Sequence, residues 1–355
     1  GDQITTVAFG SAEVRDSSAV SDANGDMVPE FAALLKGSLF ARVKDVVNNT
    51  LLGKPKFNSN FDTVAFLSVG GDLLPDGNAS QDVAVVGRDP VTGKVQAWVK
   101  DVASGGLVSK FGFSKDYVPF GAVAVDNVGD SAAMEIAVLG IDASGNVQAQ
   151  VKDARSGKLI NKIQFNKKFT PLFFAAVPNA SGKLKHLAVL GRNANGVIQA
   201  QIKRVGNGTL VGNIKFSKSY DPKAFISFAD SNGSGGGEIA VIGVNDTGKV
   251  RAQAKEIADG THVKYIFFSK TYSPLDAIAI NGVAGTGRNE IAVLGKNASD
   301  QYRLQVKDLL TGDLVKNIPL PSPSPPTANL APIAIAGEDQ LVVTPTTITL
   351  DGGGS

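Results

Sequence analysis

The sequence predicts an all-β fold of six four-stranded antiparallel blades, and three observations predict it. The segment EIAVLG stands at Glu135–Gly140 and again, unchanged, at Glu290–Gly295. Near copies are EIAVIG (Glu238–Gly243), HLAVLG (His186–Gly191), DVAVVG (Asp82–Gly87) and the degenerate EFAALL (Glu30–Leu35). Their starts at 30, 82, 135, 186, 238 and 290 are 51 to 53 residues apart. No segment holds a 3.6-residue apolar period, which excludes a helical solenoid, and 40 glycines mark frequent tight turns.

Each repeat has the same parts in the same order. An apolar run such as AVAV (Ala122–Val125) is followed by a loop rich in Gly, Asp and Asn, and then by the EIAVLG strand. A turn (DASGN, Asp142–Asn146) leads to a third strand (VQAQVK, Val147–Lys152). A second turn (DARSGK, Asp153–Lys158) leads to the fourth strand (LINKIQF, Leu159–Phe165). A lone four-stranded sheet cannot bury both of its faces. Sheets packed radially about an axis can, and this period is that of a β-propeller. The blades are expected at about 4–57, 61–113, 119–165, 171–216, 222–268 and 274–319, with Thr5–Phe9 as the first inner strand and a lost seventh blade as the alternative.

Composition bounds the function. Apolar residues make up 43% and charged residues 19% of the 355, so the chain is globular. A net charge of +2 gives no bulk attraction for nucleic acid or an anionic membrane. No apolar run is long enough to cross a bilayer as a helix. The absence of cysteine removes disulfides, zinc–thiolate sites and cysteine nucleophiles, and is compatible with an extracellular location. The start at Gly1 reads as a trimmed or mature chain.

After the sixth blade, a Pro-rich spacer (about 321–330) precedes APIAIAGEDQ (Ala331–Gln340) and TTITLDGGGS (Thr346–Ser355). This tail resembles the opening of a PKD domain, an Ig-like sandwich module, and implies a chain cut inside a larger protein.

Acidic residues cluster in the loops before the second strands. In DANGDMVPE, Asp22, Asn24, Asp26 and Glu30 alternate as oxygen donors about Gly25, which is the donor type calcium takes. DSNGSGGGE repeats the pattern with Asp230, Asn232, Ser234 and Glu238. Blade three offers Asp126, Asp130 and Glu135, and blade two the irregular set Asp72, Asp76 and Asp82. The same residues also form turns without any metal. The arrangement resembles the FG-GAP or VCBS repeats of integrin-like propellers over residues 4–319. That resemblance implies structural calcium between the first and second strands.

The junctions between blades carry FSKDYVP (Phe113–Pro119), FNKKFTP (Phe165–Pro171), FSKSYDP (Phe216–Pro222) and FSKTYSP (Phe268–Pro274). One reading is a ligand-binding ring of Lys115, Lys167, Lys218 and Lys270 with Tyr117, Tyr220 and Tyr272. The other is aromatic packing between blades, with solvated lysines. The third strands alternate (QAWVK, QAQVK, QAQIK, RAQAK, RLQVK), which suits an interblade hydrogen-bond layer or a binding groove.

No hydrolase, metalloprotease or phosphate-loop motif is present, and His186 and His262 lie in different blades. The expectation is a calcium-stabilised, non-enzymatic binding, adhesion or display module of a secreted or cell-surface protein, with protein or carbohydrate ligands. The alternative is a catalytic or targeting propeller of a polysaccharide-active enzyme, its carboxylates drawn from different blades. Sequons at Asn78, Asn179, Asn207 and Asn297 matter only in a glycosylating host.

Overall fold

The computed structural model describes residues 4–6, 14–24, 29–36, 39–57, 60–70, 81–128, 133–281, 288–320 and 349–351. The fold is all-β, with no helix among these residues, and comprises six four-stranded antiparallel blades of a β-propeller. Blade one is β2 (Val14–Val20), β3 (Glu30–Leu35), β4 (Ala41–Lys44) and β5 (Leu51–Gly53). Blade two is β6 (Asp62–Ser68), β7 (Asp82–Arg88), β8 (Val95–Asp101) and β9 (Leu107–Gly112). Blade three is β10 (Tyr117–Val125), β11 (Glu135–Asp142), β12 (Val147–Asp153) and β13 (Leu159–Phe165). Blade four is β14 (Phe169–Val177), β15 (His186–Asn193), β16 (Ile198–Arg204) and β17 (Leu210–Phe216). Blade five is β18 (Asp221–Phe228), β19 (Glu238–Val244), β20 (Val250–Glu256) and β21 (His262–Phe268). Blade six is β22 (Ser273–Asn281), β23 (Asn289–Lys296), β24 (Tyr302–Asp308) and β25 (Leu314–Leu320). Contacts divide the chain into two compact units, Gly1–Lys162 with Pro323–Ser355, and Ile163–Ser322.

One expectation is corrected. Ile4–Thr6 (β1) is not an inner strand of blade one but pairs antiparallel with Thr349–Asp351 (β26). The inner strand is β2, whose VRDSSAV sequence looks less β-prone than ITTVAF. Repeat spacing decides against local propensity: Val20 precedes Glu30 by the same interval that separates Val125 from Glu135. The rest of Thr5–Phe9, and nearly all of the PKD-like tail, lie outside the described residues.

Within each unit, apolar clusters join consecutive blades. Val20, Leu34 and Val43 of blade one pack with Phe66, Val83 and Val85 of blade two. Ile198 and Ile202 of blade four pack with Ile239 and Val241 of blade five. This explains why the second strand is apolar without alternation. Every residue of EIAVIG at Glu238–Gly243 is buried, because Ile239 and Val241 pack on blade four and Ala240 and Ile242 on blade six. The glycine closing the motif has a different cause. A Cβ on Gly140 would stand 2.7 Å from that of Tyr117, and Gly295 and Tyr272 repeat the relation at 2.9 Å. The junction aromatics therefore lie on a second-strand glycine. In blades three to six the register then shifts one residue after the junction proline, at Pro119, Pro171, Pro222 and Pro274. Proline has no N–H for the ladder, so a bulge is placed there at little loss.

The third-strand glutamines hold the junctions. Gln150, Gln201, Gln253 and Gln305 accept the backbone N–H of Ser114, Asn166, Ser217 and Ser269 at 2.9 to 3.1 Å. Trp98 takes this place in blade two and meets Phe61 edge-on, with Lys110 over its ring. The lysine that ends the third strand is not loose in solvent. Lys100, Lys255 and Lys307 each donate to the carbonyl of the glycine five residues on, in the turn to the fourth strand.

Candidate functional site

Alternating strand direction places the loop between first and second strands at the same end of a blade as the turn between third and fourth. At that end the ladder opposes two carboxylates: Asp82 and Asp101, Glu135 and Asp153, Glu238 and Glu256, Glu290 and Asp308. In blade one Glu30 and Asp45 extend the ladder by one residue beyond Phe31 and Lys44. All ten are buried. Sequence reasoning found the first member in blades one, two, three and five, passed over Glu290 of blade six, and missed the second member in every blade. Its signal was present, since an acid follows the third-strand lysine at Asp45, Asp101, Asp153, Glu256 and Asp308. Blade four departs at both positions together, with His186 opposite Arg204.

Several of these carboxylates close loops. The second-strand glutamate accepts a backbone N–H from seven residues earlier: Ala23 to Glu30 at 2.7 Å, Val128 to Glu135 at 2.9 Å and Ser231 to Glu238 at 3.0 Å. The third-strand acid caps its own turn. Asp153 accepts Ser156 N–H and O–H at 2.6 Å, and Asp308 accepts Leu310 and Thr311 N–H. Blade-five and blade-one loops tie the two together. Asn232 Nδ2 donates to Glu256 at 2.6 Å and Ser234 Oγ at 2.9 Å, while Asn24 Nδ2 donates to Asp45 at 3.1 Å.

The expected calcium ligands are thus only partly converged. Asp230 is exposed, and its carboxylate accepts backbone N–H groups from Asn232, Gly233, Ser234 and Gly235, which hold its pKa below the usual range. Glu238 lies above it. Burial, then the neighbouring Glu256 and Asp230 charges, push it up to about 7 against its bonds from Ser231. Asp22 accepts the Asn24 N–H, and Asp126 follows β10, half-buried. Asp26, Asp130, Asp72 and Asp76 lie outside the described residues. Among the described residues no three His, Asp or Glu side chains converge as a metal site does. The blade-five set is still an oxygen-rich one, Asp230, Asn232, Ser234, Glu238 and Glu256. Ligation there requires Asn232 and Ser234 to present oxygen in place of the hydrogens they now give Glu256.

At the opposite blade ends, Lys115, Lys167, Lys218 and Lys270 are exposed and Tyr117, Tyr220 and Tyr272 half-buried over their glycines. The junction of blades two and three holds a narrow crevice lined by Phe113, Tyr117, Gln148 and Gln150, with room for about one water. His262 is in the outermost strand of blade five, far along the sequence from His186 in blade four.

No family model matches the chain, and no curated protein matches it in sequence. Solved structures match its fold. BBS1N, solved in complex with ARL6DN, is 14% identical with a TM-score of 0.62, covering 100% of this chain and 98% of that one. AofleA from Arthrobotrys oligospora is 10% identical with a TM-score of 0.52, covering 99% and 94%. The Dos1 propeller is 13% identical with a TM-score of 0.50, covering 85% and 70%. At these identities the likeness is one of fold.

Proposed function

We propose that the chain is a non-enzymatic binding or display module of a secreted or cell-surface protein, of the FG-GAP or VCBS kind, with calcium bracing the loop end of its blades. The observation that carries this reading is the blade-five loop, where Asp230, Glu238 and Glu256 crowd negative charge around Asn232 and Ser234. A divalent cation among these oxygens supplies the countercharge that the loop lacks. By sequence, Asp22, Asn24, Asp26 and Glu30 match this set in blade one, and Asp126, Asp130 and Glu135 match it more sparsely in blade three. The same acids cap loops and turns in successive blades, a repeated architectural task, which favours bracing over chemistry. BBS1N, of like fold, was solved bound to a protein partner, in keeping with a binding role.

Thermal melting with calcium and with chelator tests the bracing, together with metal analysis of the purified chain. Saturating calcium is expected to raise the melting temperature by a few degrees, since a ligand at about 100 times its Kd adds about 2.7 kcal/mol. No shift and no bound metal would remove calcium from the reading. Turnover of any acidic polysaccharide would remove "non-enzymatic".

A further inference from the structure

The blades act as internal controls for one another, and blade five departs from its neighbour on one face. In blade four, Gln199 and Gln201 donate their side-chain amides to Asn213 at 3.0 and 3.3 Å, and Lys215 lies across from Gln199. That polar face satisfies itself. At the same register blade five has Arg251 for Gln199, Tyr265 for Asn213 and Phe267 for Lys215. The Arg251 guanidinium stands 3.9 Å from the ring centre of Tyr220 and 4.2 Å from that of Tyr265. His262 meets Tyr265 edge-on at 4.0 Å. Tyr265 is 40% exposed and Phe267 55%.

Two rings covering its faces hold the guanidinium flat and direct its N–H groups along the edge. Among the described residues the Arg251 guanidinium has no ion pair and no hydrogen bond, and its Nε is buried without an acceptor. Such an edge matches a planar carboxylate, which accepts two parallel N–H bonds from it. Beside it, Tyr265 and Phe267 lie two residues apart on one strand face, roughly 7 Å along the strand. This is an apolar platform next to a fixed, uncompensated cation. Successive pyranose rings present flat C–H faces to such a platform, and a uronate adds the carboxylate. An acidic peptide supplies the charge without the ring faces.

We infer that this face of blade five binds the uronate units of an acidic polysaccharide, the carboxylate meeting the edge of Arg251 and the sugar rings lying on Tyr265 and Phe267. The inference rests on the binding role proposed above. Blade six sets its limit: Arg303 stacks on Tyr272 at 4.7 Å, but Asn317 and Pro319 stand where the platform would be.

Titration calorimetry of the full chain with oligogalacturonate, its methyl ester and polyglutamate tests this. Oligogalacturonate is expected to bind, and the other two at least about tenfold more weakly, a difference near 1.4 kcal/mol. R251Q installs the residue of blades two to four, and F267Q that of blade three (Gln164), so both variants are expected to fold. Each should weaken binding at least about tenfold, with the melting temperature unchanged and R303Q close to wild type. Absent binding, equal binding of the ester or of polyglutamate, or R251Q and F267Q at wild-type affinity would each overturn the assignment. Binding that survives both variants leaves the binding role standing without this site. Cleavage of the oligomer that is lost in R251Q removes the non-enzymatic role while keeping the site.

Discussion

His186 stands directly across the strand ladder from Arg204, at the place where the neighbouring blades oppose two carboxylates. Burial, and then the Arg204 charge, lower the imidazole pKa below its ordinary 6.5, against a hydrogen bond to the Pro178 carbonyl. The folded state therefore binds fewer protons here than the unfolded state does. Stability from this group is present above pH 6.5 and is lost as pH falls through the lowered value. Urea midpoints at pH 7.5 and 5.5 should show a larger acid loss for wild type than for H186Q. Equal losses would mean that His186 does not report its burial.

The glycine closing the second-strand motif should resist substitution. G140A drives a Cβ to 2.7 Å from that of Tyr117 and 3.1 Å from the Val118 carbonyl oxygen, and is expected to cost about 2 kcal/mol. G53A should cost more, because its Cβ would meet the Val102 carbonyl oxygen at 1.9 Å and backbone yields least. Denaturant unfolding ranks the two. A smaller loss in G53A than in G140A contradicts this.

Gln150 should matter through the amide it holds. Q150L leaves the Ser114 N–H without its acceptor at a blade junction, an expected loss of about 1 to 2 kcal/mol. Hydrogen exchange at Ser114 gives a local readout that general destabilisation does not. Exchange there should quicken more than at Ser217, whose acceptor is Gln253.

Most of the blade plan could be read in advance because a repeat displays its constraints six times. The EIAVLG strand recurs in all six blades, its closing glycine in five and the third-strand glutamine of the junctions in four, all at one period, and so they stand out from local noise. Three things did not. The inner strand VRDSSAV lacks the apolar run of its equivalents, and only its spacing from Glu30 places it. Asp101, Asp153 and Glu256 look like ordinary turn formers until the ladder sets them opposite Asp82, Glu135 and Glu238. The Arg251–Tyr265 stack joins residues on two strands and gains meaning only beside the Gln199–Asn213 pair of blade four. The last two are cross-strand relations, which a scan along one dimension does not see; in the first, local propensity outweighed a spacing that was there to be read.

Glu238 carries the last prediction. Its folded pKa of about 7 exceeds the ordinary 4.5, chiefly through burial and then through Glu256 and Asp230. Between those two values the folded chain keeps a proton that the unfolded chain releases. Without a cation, stability from this group is therefore full below pH 4.5 and is lost as pH rises through 7, the opposite sign to His186. The loss is at most about 3.4 kcal/mol at 1.36 kcal/mol per pH unit, less whatever solvent screening and loop relaxation relieve. In chelator, wild type should lose more stability between pH 5.5 and 7.5 than E238Q does. Comparing the two cancels the parallel contribution of Asp276, which burial raises to about 6. Calcium should restore wild type at pH 7.5 and leave E238Q little changed, because an amide supplies no countercharge. If calcium rescues both equally, the cation does not work through Glu238.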